Sequence, residues 1–168
     1  CHVAYQHRGN NPSTSLVQML KEIKDIKFDR GNKHFQPTNL EVTKINIDNN
    51  ADNIIPGSAE ATFNIRFNNI HSSNSIKRRL NKIFKKITKK NKSKFRIDYR
   101  VSGEAFLTKP NKTTFMIQNI IKKITKLKPK LSTTGGTSDL RFIKKISPGL
   151  EFGLVGKTMH KVDEAVPL

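Results

Sequence analysis

The chain has 168 residues, with 32 Lys and Arg against 13 Asp and Glu, a formal net charge of +19. That length supports one ordinary domain or two small ones, and its single cysteine, Cys1, excludes an intramolecular disulfide, which fits a reducing cytoplasm. No apolar run approaches the ~20 residues of a membrane span, and the excess charge gives nonspecific affinity for polyanions even if it reflects only biased composition.

In chain order, His2 to Tyr5 reads as the end of a strand. Asn11-Pro12 and the hydroxyls of Ser13, Thr14 and Ser15 then make a turn and cap for a helix bearing Leu16, Val17, Leu20, Ile23 and Ile26 at helical spacing. Asp29-Arg30-Gly31 breaks that helix, and a loop with Pro37 leads to a strand over Leu40 to Ile47 whose pattern is mixed. After the polar turn Asn49 to Gly57, the residues Ala59, Ala61, Phe63, Ile65 and Phe67 alternate with polar partners, the period of two of a half-buried strand. Arg66 and Asn64 fall on its polar face.

Ser72 to Asn74 caps a basic amphipathic helix with the stripe Ile76, Leu80, Ile83, Phe84 and Ile87, ending near Asn91. Phe95, Ile97 and Tyr99 mark a last strand. Strand, helix, strand, strand, helix, strand is the order of a split βαβ fold, an α+β domain of four antiparallel strands covered by two helices. Ser102 to Pro110 is a hinge, so residues 1–107 and 108–168 are expected to form separate domains.

Beyond the hinge, Lys112 to Leu127 predicts a helix with Phe115, Ile117, Ile120, Ile121 and Ile124 as its buried side, stopped by Pro129. A short strand near Leu131, a turn at Gly135-Gly136, a short helix from Ser138 to about Ile143 and a strand over Leu150 to Leu154 then suggest part of an α/β sheet. Gly136, Thr137, Ser138 and Asp139 offer amides, hydroxyls and a helix cap, either as an anion cradle or as an ordinary helix start. His160, beside Lys161, Asp163 and Glu164, is either a metal ligand or a solvated loop histidine.

Motifs along the whole chain, HVAYQHRGNNP, NNADNIIPG, FNIRF, SGEAFLTKP, TTGGTSDLRFI and EFGLVGKTMHKVDE, resemble in the same order those of the di-zinc amidohydrolase family that includes acetylornithine deacetylase. The resemblance implies a lid, or dimerisation, domain over residues 1–107 and part of a zinc-binding α/β domain over 108–168. It also implies a cytoplasmic homodimer joined through the lid, two zinc ions with cobalt as a substitute, and a small-molecule substrate with a succinyl group at one end and diaminopimelate at the other. A related acyl-amino-acid deacylase or peptidase is the alternative within the family.

The residue roles carried over are specific. His160 matches a zinc ligand, and His2 matches a histidine that reaches into the partner subunit's active site to stabilise an oxyanion. Tyr5 and Asn53 share that lid surface, Arg66 faces a substrate carboxylate, and Gly136, Thr137 and Ser138 bind the others, while His7 is structural. Cys1, Asp52 and Leu140 depart from the family pattern. The remaining ligands and the catalytic base would lie upstream, and the chain is expected to be a fragment.

A basic nucleic-acid-binding module is the reading from another class, since the split βαβ order also suits an RNA-recognition sheet. Phe63 and Phe67 alternate as core rather than as stacking residues, so no specific nucleic-acid partner is expected. The stripe of the Ile76 to Lys90 helix is expected to be buried on the sheet, so no membrane is expected either.

Overall fold

The computed structural model describes residues 1–134, 136, 138–153, 156 and 158–166. They fall into two compact units, Cys1–Phe106 and Leu107–Leu168.

In the first unit, residues Val3–Arg8 form a 3-10 helix, and α1 spans Pro12–Lys24. Asn11 caps α1 by accepting from the Ser13 N–H at 2.9 Å, and Pro12 at the first turn brings a preset φ and no orphan donor. The buried side of α1 is Ser15, Met19 and Ile23, with Leu20 packed beside them. Val17, expected on this face, is 63% exposed, because it sits two residues from both Ser15 and Met19 and projects from the other side.

The strands β1 (Asn39–Asn46) and β2 (Glu60–Arg66) pair antiparallel, with Leu40 opposite Ile65 and Val42 opposite Phe63. A bulge follows Val42, so the register skips Thr43 and Lys44 pairs with Thr62 and Ile45 with Ala61. The extra residue moves Ile45 onto the face of Leu40 and Val42, which explains the mixed pattern of this strand. β2 alternates strictly, with Ala61, Phe63 and Ile65 half-buried and Thr62, Asn64 and Arg66 exposed.

α2 (Ser73–Lys90) starts at a capping box in which Ser72 accepts from the Ser75 N–H and the Ser75 hydroxyl accepts from the Ser72 N–H. It lays Ile76, Leu80, Phe84 and Ile87 into the core with Met19 and Ile23 of α1 and Leu40 of β1. Phe84 meets the rings of Phe63 and Phe95 edge to face at 6.4 and 5.8 Å. At its C-terminal end, the Asn91 side chain donates to Ser15 Oγ and Gln18 Oε1, tying α2 to α1.

Two of the four expected strands differ. The His2–Tyr5 segment makes one antiparallel bridge, His2 with Ile54, and then curls, because His2 Nδ1 accepts from the Ala4 N–H and the side chain takes the backbone bond that extension would have left to a neighbour. The segment holding Phe95, Ile97 and Tyr99 does alternate in burial and packs these three on the core, yet it joins no ladder among the described residues.

In the second unit, α3 (Lys112–Thr125) begins at a capping box between Asn111 and Thr114 and ends at Lys126, whose φ of 62° is left-handed. Its expected buried side is open: Phe115, Ile120 and Ile124 are exposed, and Thr114 is its one buried residue. The physical reason is that no sheet covers it among the described residues of this unit. No strand forms near Leu131 or over residues 150–153, and Leu154 lies outside the described residues. α4 (Leu140–Ile143) is one turn long. Asp139 precedes it without a side-chain cap bond, and Ser138 Oγ accepts from the Leu140 N–H at 3.0 Å instead. No helix is long and apolar enough to cross a membrane among the described residues.

Candidate functional site

The N-terminal corner of the first unit is built by a contact across fifty residues of sequence. The Val3 N–H donates to the Asn53 carbonyl at 2.9 Å and the Ile55 N–H to the Cys1 carbonyl at 2.7 Å, so the bridge of His2 with Ile54 is held on both sides. Asn49 supports the far strand of this bridge by donating from Nδ2 to the Ile54 carbonyl at 2.8 Å. His2, Tyr5 and Asn53 are thereby brought together, all exposed.

The bond from Ala4 to His2 Nδ1, at 3.1 Å, decides the tautomer of the neutral ring. A nitrogen that accepts carries no proton, so Nε2 carries it and is a hydrogen-bond donor. The ring meets Tyr5 edge to face at 6.1 Å, Tyr5 meets His7 at 6.4 Å, and the Arg8 guanidinium lies 4.9 Å over the Tyr5 ring. Arg8 is a member of this corner that sequence reasoning missed, and only its nearness to Tyr5 in sequence hinted at it. Asp52, one of the departures from the family pattern, is exposed beside Asn53 and offers a carboxylate there.

Arg66 is not in this corner. It pairs with Asn39 at the end of β2 opposite Glu60, where the loop carrying Asn53 joins. Six residue steps of strand, about 20 Å, separate Arg66 from Glu60.

In the second unit, Ser138 donates from its hydroxyl to Glu151 Oε1 in a short hydrogen bond, while Gly136 is exposed with open space where a Cβ would stand. Thr137 and Gly135 lie outside the described residues. His160 is exposed with a left-handed φ of 61°, and its N–H donates to Glu164 Oε2 at 3.4 Å. The loop around it is closed by Thr158, whose hydroxyl donates to the Ala165 carbonyl and accepts from the Ala165 N–H. No group of three or more His, Cys, Asp or Glu side chains stands together among the described residues, so His160 has no companions there to complete a metal centre.

A second polar centre in the first unit also escaped the sequence reading. Asp29 accepts from the Gly31 N–H at 2.6 Å, from the Thr38 N–H and from Asn68 Nδ2 at 2.7 Å, and its carboxylate lies 3.2 Å from His71 Nε2. Burial by itself would raise the Asp29 carboxyl, but the hydrogen bonds from Thr38, Gly31 and Asn68 prevail and hold it at about 2. Gly31 is required here. Its φ is +72°, and a Cβ would stand 2.6 Å from the Phe35 carbonyl oxygen.

Residues 1–92 match the model of the peptidase dimerisation domain, and the chain belongs to that family. Over 167 residues, 99% of the chain, it is 78% identical to a succinyl-diaminopimelate desuccinylase of Pelagibacter ubique (strain HTCC1062), covering 44% of that protein. Proteins of the same name from Parvibaculum lavamentivorans and Rickettsia bellii (strain RML369-C) are 45% and 44% identical over 97% of the chain, which covers 41% and 42% of their lengths. The chain thus spans less than half the length of these curated relatives.

Proposed function

We propose that this chain serves in the hydrolysis of N-succinyl-LL-2,6-diaminopimelate to succinate and LL-2,6-diaminopimelate, a reaction of lysine and diaminopimelate synthesis in the cytoplasm. The observation that carries this reading is the 78% identity with a named desuccinylase over nearly the whole chain. In it, residues 1–107 are the lid through which a homodimer forms, and 108–168 belong to the zinc-binding α/β domain. The alternating burial of Phe95, Ile97 and Tyr99 supports a lid completed as a four-stranded split βαβ sheet.

Zinc, when bound by the assembled enzyme, supplies a water acidified toward neutral pH and a Lewis acid for the amide carbonyl. His160 would be its ligand from this chain, and the other ligands would come from outside the matched segment. His2 donates from Nε2 to the carbonyl oxygen of substrate held by the partner subunit, and its tautomer suits that task without rearrangement. Tyr5 and Asn53 hold the same substrate from the lid surface. Arg66 offers two parallel donors to a substrate carboxylate, and Gly136, Thr137 and Ser138 bind a further carboxylate through amides and hydroxyls.

The test is a chimera in which this chain replaces the matched 44% of the Pelagibacter relative. With zinc it is expected to turn over the succinylated substrate within about tenfold of the parent, a barrier change of about 1.4 kcal/mol. The 168-residue chain alone is expected to release no succinate. A folded, dimeric chimera without activity overturns the reading.

A further inference from the structure

The outer face of α2 carries charge that the proposed reaction does not use. Eight residues of this helix are exposed, and seven of them are Lys or Arg; the other is Asn74. The helix contains no acidic residue and no exposed apolar one. Arg79 is engaged, stacked 5.1 Å over Phe28 and donating to the Lys27 carbonyl. Arg78, Lys82, Lys85, Lys86, Lys89 and Lys90 remain, and none has an ion-pair partner among the described residues. At 100° per residue these six lie within an arc of about 140°, on the side away from Ile76, Leu80 and Phe84, and they span about 18 Å along the axis. Of the acids about the helix, Glu104 accepts from the Ser73 N–H at the N-terminus of α2, and Asp25, just past the end of α1, is held by Lys21 at 3.1 Å.

We propose that this face of α2 is a docking surface for the phosphate backbone of nucleic acid, read by charge and not by sequence. Two features select this partner. First, a duplex carries one phosphate charge per 1.7 Å of axis, so an 18 Å length holds about ten phosphates against the six cations of this face. Second, a membrane-surface helix needs apolar side chains on its boundary to enter the headgroup layer, and here every such residue is turned into the core. Bases are not read, because the face carries no aromatic residue on which they could stack.

The test measures binding of a fluorescent 20-base-pair DNA to the 168-residue chain over a salt series. It compares the parent with two variants that each carry four fewer positive charges: Arg78→Gln/Lys82→Gln/Lys85→Gln/Lys89→Gln on α2, and Lys122→Gln/Lys123→Gln/Lys128→Gln/Lys130→Gln in the second unit. Circular dichroism is recorded for all three. The α2 variant is expected to flatten the slope of log K against log salt by roughly 3 to 4 units, at about 0.9 for each phosphate no longer neutralised, while the other variant changes it by less than about one. Equal flattening in the two variants would show that net charge alone acts and would overturn the proposal. So would absence of DNA binding at 50 mM salt, or preference for anionic lipid vesicles over DNA.

Discussion

Asp29 shows how much one side chain decides. Three donors converge on its carboxylate and join the turn at Gly31, the entry to β1 at Thr38 and the exit of β2 at Asn68. Its pKa is lowered from 3.8 to about 2, so the stabilisation is full above pH 4 and is lost as pH falls through 2. The shift corresponds to about 2 kcal/mol. Urea melts at pH 5 and pH 2 are expected to show the parent losing about 2 kcal/mol more than Asp29→Asn over that interval; equal losses would mean the carboxylate titrates as in the unfolded chain. None of this was legible beforehand, since Asp29-Arg30-Gly31 reads as a helix stop and its partners lie up to 42 residues away. The His2 corner was hidden for the same reason. A lone bridge between His2 and Ile54 leaves no period in a sequence, so the family motifs suggested a shared surface but its geometry had to come from the fold.

At the scale of elements, what was legible follows from what a period measures. The buried stripe of α2 and the alternation of β2 were readable because each is a direct record of which side chains leave water. Hydrogen-bond pairing leaves no such record. Phe95, Ile97 and Tyr99 alternate as a strand should and pack where they should, yet the backbone between them joins no ladder among the described residues. Thr43 misled in the opposite direction. A single bulged residue broke the period of β1 while its pairing with β2 continued on both sides. α3 has a strong apolar stripe that nothing among the described residues covers, so the pattern found the helix and misjudged its burial.

For the whole molecule, the proposed division of labour between subunits can be tested in the full-length chimera. A subunit with His2→Ala keeps its metals but cannot assist its partner, and a subunit with His160→Ala lacks a ligand but still lends His2. Each homodimer is expected to be nearly inactive. Random exchange at equal amounts makes half the dimers mixed, and one site in each mixed dimer is whole, so activity is expected to recover to about a quarter of the parent's, given a closed two-fold dimer. No recovery despite measured exchange would assign His2 to its own subunit or to no catalytic role. The two units of the chain also differ in a thermodynamic respect. Every buried hydrophobic residue among those described belongs to Cys1–Phe106. Hydration of newly exposed apolar surface is what raises the heat capacity on unfolding, so the two units should not contribute alike. Calorimetry of the 168-residue chain is expected to show one cooperative transition with a heat-capacity step of about 1.3 to 1.6 kcal/mol/K, the value for 106 residues, instead of the 2.0 to 2.5 that melting of the whole chain would require. A step of the larger size would mean that Leu107–Leu168 has a core of its own; the smaller step makes the first unit a thermal phase and the second a passenger on it.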